Sequence, residues 1–173
     1  MIIIYVLLGL IVLLLLMAAL MPKEYNIERS IVIKKPVAET MGKISDLNHY
    51  STWNPWQQSD PSAKSTITGV PATPGHRYAW EGKKVGVGSL TLNSMDASHI
   101  HFDLEFLKPW KAKAKDNWHF EPWGDGDETK ITWQNSGGLP WPMARLMGPM
   151  IQKNLGHQFE QGLSNLKKMV EGA

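Results

Sequence analysis

The chain contains no cysteine. That excludes disulfides, thiolate nucleophiles and sulfur-based metal sites, and it leaves the redox compartment open. It also lacks a charge excess: 18 Lys and Arg stand against 16 Asp and Glu, a formal net charge of +2 over 173 residues. A nucleic-acid-binding domain needs a basic stripe, so that partner class is not expected. The one local excess is Lys108, Lys111, Lys113 and Lys115, where alternation with Ala112 and Ala114 reads as the solvated face of a strand. In a tethered domain such a face also suits anionic lipid headgroups. Gly82 to Gly88 (GKKVGVG) lacks the GKS or GKT ending of a phosphate loop and the helix after it, so a strand bulge is expected. Asp125 and Asp127 lack the remaining ligand spacing of a calcium loop.

Charge is wholly missing from the first 22 residues. Ile2 to Met21 has neither charge nor proline, and as a helix it would span roughly 30 Å, the thickness of bilayer hydrocarbon. A cleaved signal peptide fits less well. No basic residue precedes the run, and Ala18-Ala19 is followed by bulky Leu20, Met21 and Pro22. A buried core helix would show a polar stripe, and none is present. The expected organisation is a transmembrane anchor over 1–22 and one domain over 23–173. Lys23, Arg29, Lys34 and Lys35 follow the run, which by the positive-inside rule weakly favours a cytoplasmic domain.

What remains is rich in signals. Tyr25, Ile27, Ile31 and Ile33 alternate with polar residues as a first strand, with Arg29 in the apolar phase. Pro36 ends that strand and opens a helix carrying Val37, Met41, Ile44 and Leu47. Ser45 to Pro61 packs Tyr50, Trp53 and Trp56 among capping and breaking residues, which predicts two short helices folded against a concave apolar surface. Trp53 and its neighbours would need acceptors for their indole N–H groups. Further strands follow near Lys64–Gly69, His76–Gly82, Val85–Met95, Ile100–Phe106, Ala112–Phe120 and Thr129–Trp133, with a strong turn at Gly124–Asp127. From Pro142 to about Glu171, apolar residues from Met143 to Val170 recur at threes and fours, a long amphipathic helix with an early kink or break at Gly148-Pro149. The order predicts an α+β helix-grip fold: a curved antiparallel sheet of about seven strands around a long C-terminal helix.

Several segments resemble, in order, the SRPBCC (START-like) superfamily, and within it the polyketide cyclase/dehydrase branch of bacterial proteins. They are Glu28–Ile33, Ser45-Asp46-Leu47, Trp53–Trp56 with Asp60-Pro61, Tyr78–Gly82, Val85–Ser89, Leu104–Pro109, Thr132-Trp133 and Phe159–Lys167. The resemblance implies the helix-grip fold over the whole domain, and related members often carry a similar N-terminal hydrophobic helix. It implies no catalytic motif and no cofactor. A bacterial inner membrane would be the natural site for such an anchor.

A cavity between helix and sheet would be lined by Trp56, Trp80, Phe102, Phe106, Trp118, Trp133, Met143, Met147 and Ile151, rigid rings on the sheet facing adaptable Met on the helix. The same residues would equally make an ordinary core. Asp116 is the inward-phase ionisable group, Asp96 and Glu81 stand near strand ends, and Arg145 opens the long helix. The six histidines, His49, His76, His99, His101, His119 and His157, read as surface groups, so no metal is expected. Three functions fit: a carrier of a hydrophobic small molecule or lipid at the membrane, a cyclase or dehydratase using Asp116 or Arg145, and a non-binding module of a membrane complex.

Overall fold

The computed structural model describes residues 1–172. Helix α1 (Ile2–Leu20) is exposed along almost its whole length, with only Ala18 buried. Its end is tied to the domain by Leu139, whose N–H donates to the Lys23 carbonyl at 2.7 Å. The domain follows as β1 (Glu24–Ile33), α2 (Val37–Ser45), a 3-10 turn (Leu47–His49), α3 (Tyr50–Trp53) and α4 (Pro55–Ser59). Six further strands come next: β2 (Lys64–Thr68), β3 (Arg77–Gly82), β4 (Gly86–Met95), β5 (His99–Lys108), β6 (Ala112–Trp123) and β7 (Glu128–Gly138). Helix α5 (Met143–Glu171) closes the chain.

The seven strands form one antiparallel sheet in the order β1-β7-β6-β5-β4-β3-β2. All connections but one are between neighbours; the exception carries the chain from β1 through the short helices to the opposite edge. The register slips between Val87 and Gly88, the bulge read from the glycine-marked stretch, and again between Leu92 and Ser94.

Local chemistry explains the Trp-rich crossing. Asp46 accepts from the Asn48 N–H at 3.0 Å, and Asn54 accepts from the Gln57 N–H at 2.8 Å with Pro55 in the first helical turn. Asp60 accepts from the backbone N–H of Lys84 at 2.8 Å and from Ser62 Oγ at 2.9 Å, fastening α4 to the β3–β4 turn. His76, expected at the surface, is instead fully buried, because Nε2 accepts from the Leu47 N–H at 3.0 Å and Nδ1 faces the Thr68 carbonyl at 3.1 Å. Those partners select the neutral ring protonated at Nδ1. Trp53, by contrast, finds no protein acceptor for its buried indole N–H.

Helix α5 runs unbroken through Gly148-Pro149, contrary to the break expected there. Pro149 lies in the second turn with its ring exposed, so the lost backbone bond falls where the helix is covered least. Arg29, in the apolar phase of β1, crosses beneath Gly156 and pairs with Glu160 at 2.7 Å. Farther along, Gly162 lets the helix settle on Trp133: a Cβ there would stand 3.0 Å from the Trp133 ring and 3.3 Å from Pro55. Because Trp133 is stacked on both faces, it has no room to yield. Gly162→Ala is expected to destabilise the domain by about 1 kcal/mol despite its better helix propensity. Gly42→Ala at an exposed position of α2, where a Cβ meets nothing within 4 Å, should instead stabilise by about 0.5–1 kcal/mol. Urea unfolding of both variants checks the contrast.

Candidate functional site

Inward-facing residues of β5, β6 and β7 meet α3 and α5 in an aromatic core. Trp118 and Trp133 stack with centroids 4.5 Å apart, and Trp133 stacks on Phe159 of α5 at 3.9 Å and an interplanar angle of 4°. Trp53 meets Trp118 and Trp133 edge to face, and Trp56 does the same to Trp133 and Phe159. Asp116 lies at the base of this stack, 4 % exposed. Its Oδ1 accepts from Trp118 Nε1 at 2.8 Å and from Trp133 Nε1 at 2.9 Å. Its Oδ2 accepts from Asn135 Nδ2 at 3.0 Å, and the Tyr25 hydroxyl donates to Asn135 Oδ1 at 2.9 Å.

Burial dominates the carboxyl's titration. It pushes Asp116 from its ordinary 3.8 up to about 6, against the opposing pull of the Trp133, Asn135 and Trp118 donors. The effect spreads: burial first, then the Asp116 charge, raises Tyr25 to about 12 and holds Tyr50 well above its usual range. Around Asp116, the space bounded by Ile44, Leu47, Tyr50, Trp53, Leu90, Phe102 and Trp118 has a free volume of about 0 Å³. No water fits there. A carboxyl enclosed in this way, with each oxygen receiving N–H donors, organises a core and has no open side toward a reactant.

The residues read from sequence as a cavity lining therefore divide into three groups. Phe102, Trp118 and Trp133 form the packed floor, and Trp56 is fixed above it with its indole donating to Gln158 at 3.1 Å. Trp80, Phe106, Met147 and Ile151 lie half-buried toward the end of the domain where α1 leaves. Met143 is 65 % exposed. Across that end of the inner face, the Trp80 ring lies over Gly88, the Tyr25 ring over Gly137, and half-buried Leu104 and small Ala114 stand between. Helix α5 shows the same gradient: Phe159, Leu163, Leu166 and Val170 are buried, Leu155, Ile151 and Met147 half-covered, Met150 and Met143 exposed. Arg145 donates to the Leu139 carbonyl at 3.4 Å. Asp96 accepts from the N–H groups of Ser98 and His99 at a turn, and Glu81 is exposed.

Asn135 and Tyr25, the other members of the Asp116 network, were not singled out from sequence. Asn135 shares the inward phase of Ile131 and Trp133, a polar residue in an apolar register, and that was the available signal. Among the histidines, His99 and His119 meet at 2.8 Å on the outer face, flanked by Asp96 and Glu121. Among the described residues no group of His, Asp and Glu is arranged to hold a metal ion.

Because the folded state binds the Asp116 proton more tightly than the unfolded chain, this group stabilises most below about pH 4. That contribution falls by roughly 3 kcal/mol as pH rises through about 6. Asp116→Asn keeps an acceptor for both indoles and is expected to fold with this slope removed, whereas Asp116→Ala leaves buried N–H groups unpaired at a cost of about 3 kcal/mol. Unfolding free energies measured between pH 4 and 7 distinguish the three proteins.

Comparison with known proteins agrees with this architecture. No curated protein matches the chain. Among solved structures, a Mesorhizobium loti protein superposes with a TM-score of 0.63 at 11% identity, covering 86% of this chain and 98% of its own. A Thermus thermophilus protein gives 0.62 at 17% identity, over 84% and 97%. DynU16, from the dynemicin biosynthetic locus, gives 0.59 at 14% identity, over 84% of this chain but 47% of that one. At these identities the likeness is one of fold. The family model described as polyketide cyclase/dehydrase and lipid transport matches residues 25–171. Sheet, helix and matched span together place the chain in the polyketide cyclase/dehydrase and lipid-transport family.

Proposed function

We propose that this protein is a membrane-anchored helix-grip domain that takes up a hydrophobic small molecule or lipid and releases it unchanged. The ligand enters between the first half of α5, which carries Met147 and Ile151, and the anchor end of the sheet, where Trp80 meets Phe106 edge to face at 5.9 Å. One observation carries the reading: the apolar stripe of α5 runs its full length, yet the protein buries its large side chains only in the C-terminal half and leaves Met147, Ile151 and Leu155 half-covered. Apolar surface left half-covered inside a fold is the kind of surface a ligand covers. The family description, which names lipid transport, supports the same class of ligand. So does α1, which at 19 residues and a mean hydropathy of 3.2 is long and apolar enough to cross a membrane. Lys23 directly follows α1, a basic residue at the membrane boundary, which by the positive-inside rule favours the cytoplasmic side for the domain.

A second reading draws on the closed core. If the interior is complete as it stands around Asp116, the domain is a binding-inert module that steadies a membrane complex. A cyclase or dehydratase has less support, since Asp116 is sealed and Arg145 is engaged with a backbone carbonyl.

Native mass spectrometry of the full chain released from nanodiscs, with organic extraction of what co-purifies, separates these readings. Carriage predicts a hydrophobic compound at near one-to-one occupancy, reduced about tenfold by Ala114→Phe, which sets a large ring beside Leu104 on the inner face. A clean apo mass in both proteins, unchanged after incubation with mixed lipids, would favour the module.

A further inference from the structure

The sheet has two ends, and they differ in surface. Strand register brings the β5–β6 hairpin, the β3–β4 turn and the β7–α5 loop to one of them: Phe106 pairs with Ala112, Val87 with Lys108, and Glu24 with Gly138. This is also where α1 departs, tied through the Leu139 N–H to Lys23. Outside α1, the exposed large apolar side chains among the described residues are Val70, Leu107, Trp110, Trp123, Trp141, Met143 and Met150. Val70 and Trp123 belong to turns at the far end; the others lie at the anchor end or on the first turns of α5 beside it. Trp110 is 72 % exposed and Trp141 52 %. Each indole is an amphipathic ring that its own protein covers only in part.

Exposed lysines surround them. Lys83 and Lys84 stand on the β3–β4 turn, Lys108 and Lys111 flank Trp110, and Lys23 follows α1, against the exposed acids Glu24 and Glu81. The far end is balanced, with Asp96, Asp125 and Asp127 on its turns opposite Lys34, Lys35 and Arg77. Tryptophan favours the bilayer interface, and lysine near it is drawn to anionic headgroups.

We propose that the Trp110 hairpin and the Trp141 loop dock the domain, end on, into the headgroup layer of an anionic bilayer. This rests on α1 lying in that bilayer. Docking there sets the half-covered inner face of α5 directly above the lipid, so that a hydrophobic ligand passes between membrane and protein without crossing open water. The committed occupant is the lipid surface itself, favoured by the continuity of the patch with α1 and by its charge.

The absence of native cysteine allows single-cysteine spin labels on the full chain in nanodiscs. Reporters at Ala112→Cys and Pro140→Cys read the docking end, Asp125→Cys the far end, and Val12→Cys the anchor. In discs containing phosphatidylglycerol, residues 112 and 140 should be shielded from a water-soluble nickel chelate relative to residue 125. Adding Lys108→Glu with Lys111→Glu, or using pure phosphatidylcholine, should lower the docked-to-undocked ratio by about tenfold. If residue 12 reads as lipid while 112 and 140 are as open to nickel as 125, docking is overturned and the anchor stands. If residue 12 is itself in water, both fall.

Discussion

Two indole N–H groups and one amide converge on a single carboxyl in the centre of this domain, and most of the interior depends on that convergence. Asp116 fixes the planes of Trp118 and Trp133, those planes form the stack that receives Phe159, and Phe159 seats the C-terminal half of α5. Trp53 and Trp56 then close over the stack edge-on. Burying the carboxyl costs stability at neutral pH, as its raised titration shows, but removing it would strand its donors. The core is thus specified by hydrogen bonds as much as by apolar area.

That local completeness has a counterpart at the other end of the helix. The aromatic stack occupies the deep half of the space between α5 and the sheet, and toward the α1 end Gly88 and Gly137 lie beneath the Trp80 and Tyr25 rings with Ala114 buried between them. The methionine-bearing first half of α5 is only half-covered there, and methionine side chains adapt readily to what packs on them. It is the part of the fold nearest the departure of α1, so rigidity and openness are separated along one helix. The family to which the chain belongs is described by both polyketide cyclase/dehydrase and lipid transport, and in this member the core carboxyl is enclosed.

Much of the fold was legible because period-two and period-3.6 patterns are written in large side chains. The strands around Ile100, Phe102 and Trp118, the Trp-rich short helices and the α5 stripe all lie where those patterns put them. Asp116 could be read as inward from its place between Ala114 and Trp118. Its role could not, since that depends on Asn135 and Tyr25 from strands 19 and over 90 residues away. Likewise, pattern cannot distinguish core from cavity. Phe102 and Phe106 share one strand face, yet one is sealed and the other half-covered, a difference set by where α5 and the short helices end. Trp53 shows the reverse limit, an indole expected to find an acceptor and buried without one.

The most direct measurement is solution NMR of the full chain in nanodiscs with nitrogen-15-labelled tryptophan. The Nε1–H signals of Trp118 and Trp133 should resist solvent exchange and shift together with a midpoint near pH 6, set by Asp116. Adding a short-chain phospholipid should move the Trp80 signal and leave those two in place. Rapid exchange at Trp118 and Trp133, or lipid-induced shifts there with Trp80 unmoved, would contradict a closed core with its opening at the α1 end.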